Sequence, residues 1–191
     1  DETITFSTSG TFNANITKKD LYIIANNANK LYGTTQSTPV SGSTAFSSVG
    51  LVGSQTIGSV TLSYGPGALT ATAPVGSTSV ITPSAAVNGS FNINNYNVIY
   101  QTGTLTVSAA VITVTATGPT KAYGTALTSG TSTTNFTVTG TLLSGEAITS
   151  VTLTPDAAGL SAGTPAGSVY VVTPSAATGT GGFLASNYSI N

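Results

Sequence analysis

The sequence predicts an all-β fold: two tandem small domains of about six strands each, placed end to end. Three observations carry this. Apolar and hydroxyl residues alternate with the two-residue period of half-buried strands, as in Ile112-Thr113-Val114-Thr115-Ala116. Turn formers such as Gly65-Pro66-Gly67, Asn88-Gly89, Gly118-Pro119 and Gly179-Thr180-Gly181-Gly182 separate these runs. The whole pattern then occurs a second time. Lys30-Leu31-Tyr32-Gly33 recurs as Lys121-Ala122-Tyr123-Gly124, 91 residues on, and Thr82–Ala86 recurs as Thr173–Ala177 at the same offset. Asn95-Tyr96 and Asn187-Tyr188 drift by one residue, as a single loop insertion would cause. A fixed period on this scale marks a repeat protein.

In chain order, residues 1–19 read as an extended N-terminal segment ending in the charged cluster Lys18-Lys19-Asp20, taken as a solvated junction. Residues 20–108 form the first repeat and 109–191 the second. Strands are expected at Leu21–Ala25, Tyr96–Tyr100, Thr104–Val107, Ile112–Ala116, Phe136–Thr139, Ser150–Thr154 and Val169–Val172, all rich in β-branched residues. The best helical candidate, Leu142–Ile148, is short and contains a glycine, so it predicts a turn or two at most. No Pro- or Gly-rich linker marks Ser108-Ala109-Ala110, which predicts a short, stiff connection with little core shared across it.

Composition narrows the function classes. Charged residues are 5% of the chain, against roughly 25% in ordinary globular domains, so solubility rests on hydroxyls and amides. All four basic residues are lysines, at 18, 19, 30 and 121. No basic stripe exists to neutralise phosphates, which argues against nucleic acid and anionic membranes as partners. No apolar run reaches the length of a membrane span. His and Cys are both absent, which removes the commonest general base, the thiolate nucleophile and the softer metal ligands. The expectation is a protein without catalysis, cofactor or metal. Asp156 with neighbouring carbonyls is at most a weak surface cation site.

The order of motifs resembles the MBG and YDG repeat domains of large bacterial surface adhesins of the filamentous-haemagglutinin-like kind. The carrying residues are Lys30, Tyr32, Gly33, Thr82–Ala86, Asn95, Tyr96 and Gly103–Val107, then Lys121, Tyr123, Gly124, Thr173–Ala177, Asn187 and Tyr188. The resemblance implies secretion to the cell surface or beyond, β-rich modules that are β-grasp-like or, alternatively, sandwiches, a stalk or adhesive role, and no catalysis.

Taken one at a time, the repeated residues have bland and sharp readings. Lys30 and Lys121 are expected to lie along the neighbouring tyrosine with the ammonium in water. An isopeptide clamp to asparagine would need a buried acid, and Glu146 has only Gln55 at its place in the first repeat. Tyr32 and Tyr123 are expected as equivalent buried rings; as exposed rings they would offer stacking faces to a host or surface glycan. Asn95 and Asn187 are expected to cap turns. Rows such as Thr113/Thr115 and Thr152/Thr154 suit an ice-binding face but equally any strand.

The two repeats end differently. The first closes with Gly103-Thr104-Leu105-Thr106-Val107, whereas Asn191 aligns with Ile99, so the second has no counterpart of that strand. The N-terminal piece holds a similar stretch, with Ile4, Phe6, Gly10 and Phe12 as the residues of an inter-subunit strand. Gly10-Thr11-Phe12 would stand for Gly103-Thr104-Leu105, and pairing is expected beside Asn187–Asn191 of a neighbour. Neighbouring repeats or further copies of the chain, head to tail, are thus the expected partners. An excerpt cut out of register from a longer array explains the same ends.

Overall fold

The computed structural model describes residues 15–191, and within them the chain is all-β. Eight strands lie in the first repeat: β1 (Lys19–Ala25), β2 (Ala28–Leu31), β3 (Val40–Ser43), β4 (Phe46–Val49), β5 (Ile57–Tyr64), β6 (Thr78–Asn88), β7 (Tyr96–Gln101) and β8 (Gly103–Ser108). Six lie in the second: β9 (Ala110–Ala116), β10 (Gly130–Ser132), β11 (Phe136–Gly140), β12 (Ala147–Pro155), β13 (Val172–Thr180) and β14 (Tyr188–Ile190). Every strand ladder stays within its own repeat. The first repeat forms sheets β4-β1-β7 and β2-β8-β6-β5-β3; the second forms β11-β9-β14 and β10-β12-β13. Two sheets facing across a shared core make the sandwich alternative the fitting description.

Side-chain alternation places that core. On β1, Leu21, Ile23 and Ala25 point inward; on β8, Gly103, Leu105 and Val107 do. They meet Val60, Leu62 and Ile81 from the larger sheet. Each fully buried aliphatic side chain contributes about 1.5–3 kcal/mol.

The chain changes sheets at a corner that two strands turn side by side. β1 runs parallel to β7, and after Asn26-Asn27 the same chain continues as β2, parallel to β8. The other chain turns between β7 and β8 at Thr102. The Thr104 N–H donates to Asn27 Oδ1 at 2.9 Å, pinning the two turns together. Gly103 is required there: a Cβ would meet the main-chain oxygens of Ala25 at 2.5 Å and Asn26 at 2.9 Å.

The repeated Thr-Pro-Ser-Ala-Ala motif is a bulge. Pairing of β5 with β6 slips between Ser59 and Thr61, and that of β12 with β13 between Ser150 and Thr152. Ala85 and Ala176 sit at φ 47, the left-handed region, at the bulge in both repeats.

Several expectations need correction. The strand expected at Val169–Val172 starts only at Val172, because no partner strand lies beside the preceding residues. For the same reason 119–122, the counterpart of β2, forms no strand: β2 exists by pairing with β8, and none of the described residues takes the place of β8 beside 119–122. Leu142–Glu146 is a turn and Ala147 begins β12; the one α-helix among the described residues is Ala157–Leu160. Its N-cap is Asp156, whose carboxylate accepts from the N–H groups of Ala158, Gly159 and Val171. These contacts, led by that with Val171, hold its pKa below the usual value, so the carboxylate is taken up by its own backbone. The core is also more continuous than expected: Tyr32, Ala110, Ile112, Phe183 and Tyr188 belong to the same cluster as the first repeat's interior. A single residue, Ala109, separates β8 from β9.

Candidate functional site: the junction between repeats

Tyr32 follows β2 and reaches across to the second repeat. Its hydroxyl donates to Glu146 Oε1 at 2.6 Å, and Tyr188 donates to Glu146 Oε2 at 2.6 Å. One carboxylate thus accepts from two phenols, a charge-assisted arrangement stronger than neutral pairs. The Leu143 N–H donates to the Tyr188 hydroxyl at 2.9 Å. The rings of Tyr32 and Tyr188 meet edge to face at 5.4 Å, and Phe183 stacks on Tyr188, also at 5.4 Å. Asn187, buried, accepts the Val75 N–H on Oδ1 at 3.2 Å. Burial first, and then the Glu146 carboxylate, raise both phenol pKa values, that of Tyr188 to about 12. An open groove of about 840 Å³ runs alongside, lined by Leu31, Tyr32, Gly140, Leu142 and Leu143 among others.

The repeated motif residues divide between two tasks. The lysines hold loops. Lys30 is buried, and its ammonium donates to the carbonyls of Thr34 at 2.8 Å and Thr70 at 2.9 Å instead of reaching water. Lys121 donates to Ala158, Gly159 and Ser161 in the same manner. Carbonyl oxygens occupy both ammonium groups, and no asparagine is among their hydrogen-bond partners. Gly33 and Gly124 turn the chain at φ 84 and φ 88, the left-handed region suited to glycine.

The tyrosines part company. Tyr32 is 5% exposed, whereas Tyr123, expected to be its buried equivalent, is 70% exposed. The reason is position: Tyr32 is covered by Glu146 and Tyr188 of the second repeat, and none of the described residues covers Tyr123 in that way. The asparagines part likewise. Asn187 joins the repeats, while the turn at Ile93–Asn95 is capped by Asn92, which accepts the Asn94 N–H, and not by Asn95. Tyr96 and Tyr188 are buried at matching places. Ile4, Phe6, Gly10 and Phe12 lie outside the described residues.

Sequence reasoning missed Glu146 as the hub of the junction. Its signal was the aligned Gln55, which accepts from Tyr96 as Glu146 accepts from Tyr188. Comparison with family models, with curated proteins and with solved structures returns no match.

Proposed function

We propose that this chain is a non-enzymatic structural segment, a stalk or filament repeat of a bacterial surface adhesin acting outside the cell. One observation carries the reading: the residues shared by the two repeats are spent on building each repeat and joining it to the next. Lys30 and Lys121 tie down loops, Gly33 and Gly124 make turns, and Tyr32, Asn187 and Tyr188 meet at the junction. A junction built from a two-phenol carboxylate and a continuous core suits a part that transmits load between neighbours. The scarcity of charge and the absence of cysteine are compatible with export.

The test is localisation on intact cells of the source organism. Antibodies raised against the chain should label unpermeabilised cells, and external protease should remove the signal. Antigen released only on lysis sinks the surface assignment. Saturable glycan binding abolished by Tyr123→Ala would favour a ligand-binding module over a stalk.

A further inference from the structure

We propose that Asn88 is a self-modifying site: its carboxamide closes onto the Gly89 backbone nitrogen and is lost as ammonia, leaving aspartate and isoaspartate at the end of β6. Water is the one co-reactant. The chemistry needs neither an enzyme nor a particular setting for the protein, so it is independent of the stalk reading above.

Asn88-Gly89 is the single asparagine–glycine pair in the chain. Any other residue in second place shields the attacking nitrogen with a Cβ; glycine has none, and its backbone turns freely towards the carboxamide. The fold itself requires this glycine. A Cβ at position 89 would lie 2.6 Å from Thr56 Oγ1 and 2.7 Å from the Thr56 carbonyl oxygen. In the second repeat Gly179-Thr180 takes the same place, Gly179 facing Ile148 as Asn88 faces Ile57, and no carboxamide is present there.

Both reacting groups are free. Asn88, Gly89 and Ser90 are exposed. Among the described residues neither the Asn88 carboxamide nor the Gly89 N–H has a hydrogen-bond partner, whereas the side chains of Asn27, Asn92, Asn97 and Asn187 are each engaged. β6 also holds Asn88 lightly. Its pairing with β5 slips between Ile57 and Ser59, so Asn88, opposite Ile57, is a single ladder position beyond the slip. Turning the carboxamide towards the Gly89 nitrogen disturbs that position alone.

Closure forms the bond from Gly89 N to Asn88 Cγ and breaks that from Cγ to Nδ2; the proton of the Gly89 N–H leaves with the departing amide as ammonia. Water then opens the cyclic imide. Opening at Cγ gives aspartate, and opening at the main-chain carbonyl gives isoaspartate, with no change of oxidation state. Either product adds a negative charge to a chain of net charge −1. Isoaspartate also lengthens the backbone by a carbon, and the turn has no slack to receive it. The Thr56 carbonyl accepts from the N–H groups of Ser90 at 2.9 Å and Phe91 at 3.2 Å, and the Thr56 N–H donates to Ser90 Oγ at 2.9 Å. This clamp sets Phe91 in the core, where it is 2% exposed and its ring lies 6.1 Å from that of Tyr96. Isoaspartate at position 88 therefore loosens the anchor of Phe91.

The test ages purified full-length chain in mildly alkaline buffer at physiological temperature. Products are mapped by peptide mass spectrometry, with fragmentation that separates aspartate from isoaspartate. Asn88 should convert roughly tenfold or more faster than every other asparagine, because glycine alone leaves the nitrogen unshielded. Conversion should quicken as pH rises, since the deprotonated amide nitrogen attacks. The isolated isoaspartate form should melt at least about 2 °C below the fresh chain. Asn88→Gln, an exposed change that keeps the amide but disfavours ring closure, should stay unmodified and keep the fresh chain's melting temperature. Asn88 that stays intact in the native chain and converts only in urea, or another asparagine that converts first, overturns the site. An isoaspartate form that melts with the fresh chain overturns the link to Phe91.

Discussion

Tyr32 and Tyr123 occupy the same motif position and should respond oppositely to the same substitution. Replacing Tyr32 by Ala empties a buried aromatic site, which costs about 3–5 kcal/mol. The structure supplies the reasons: the ring is 5% exposed, its edge meets Tyr188 at 5.4 Å, and its hydroxyl donates to Glu146 at 2.6 Å. Tyr32→Phe isolates the hydroxyl and should cost about 1.5–3 kcal/mol, the range for a bond to a charged acceptor. Tyr123→Ala, at a ring 70% exposed, should stay within about 0.5 kcal/mol. At 2–4 °C per kcal/mol for a chain of this size, Tyr32→Ala lowers the melting temperature by roughly 6–20 °C, and Tyr123→Ala by no more than about 2 °C. The assay is thermal and urea unfolding followed by circular dichroism. Equal losses at the two positions would refute the assignment of Tyr32 to an interface.

Three further outcomes follow from the same geometry. Glu146→Gln should preserve the junction to within about 1 kcal/mol, since Gln55 serves the aligned tyrosine, whereas Glu146→Ala strands two phenols and should cost about 2–4 kcal/mol in urea unfolding. The chain should lose stability as pH rises from about 10 to about 12: the raised Tyr188 pKa means that unfolded chains release this proton first, so the contribution is full below 10 and gone above 12. Midpoints of urea unfolding across that range measure it, and the Tyr188→Phe variant should show a shallower decline. Ala85→Val and Ala176→Val place a β-branched residue at positive φ and should each cost about 1–2 kcal/mol, read as a lowered melting temperature, while glycine at either site should be tolerated.

What the sequence determined by itself was the class of structure and its period. Alternating Thr and Val with Gly, Pro and Asn punctuation is enough for strands, because the two-residue period of a pleated strand is a local property of the chain. Hence β1, β7, β8, β9, β11 and β12 were legible as segments. The repeat was legible because matching positions need only counting. What counting cannot supply is what covers each position. Val169–Val171 has strand composition but no strand, since a ladder needs a neighbour. Tyr123 matches Tyr32 in sequence yet not in burial, since burial belongs to the assembled surface. Lys30 turned inward because carbonyls of Thr34 and Thr70, one of them 40 residues away, converge on its ammonium. Glu146 became the hub of the junction only when Tyr32, 114 residues earlier in the chain, came within hydrogen-bond reach. These are contacts between distant parts of the chain, and tertiary packing alone decides them.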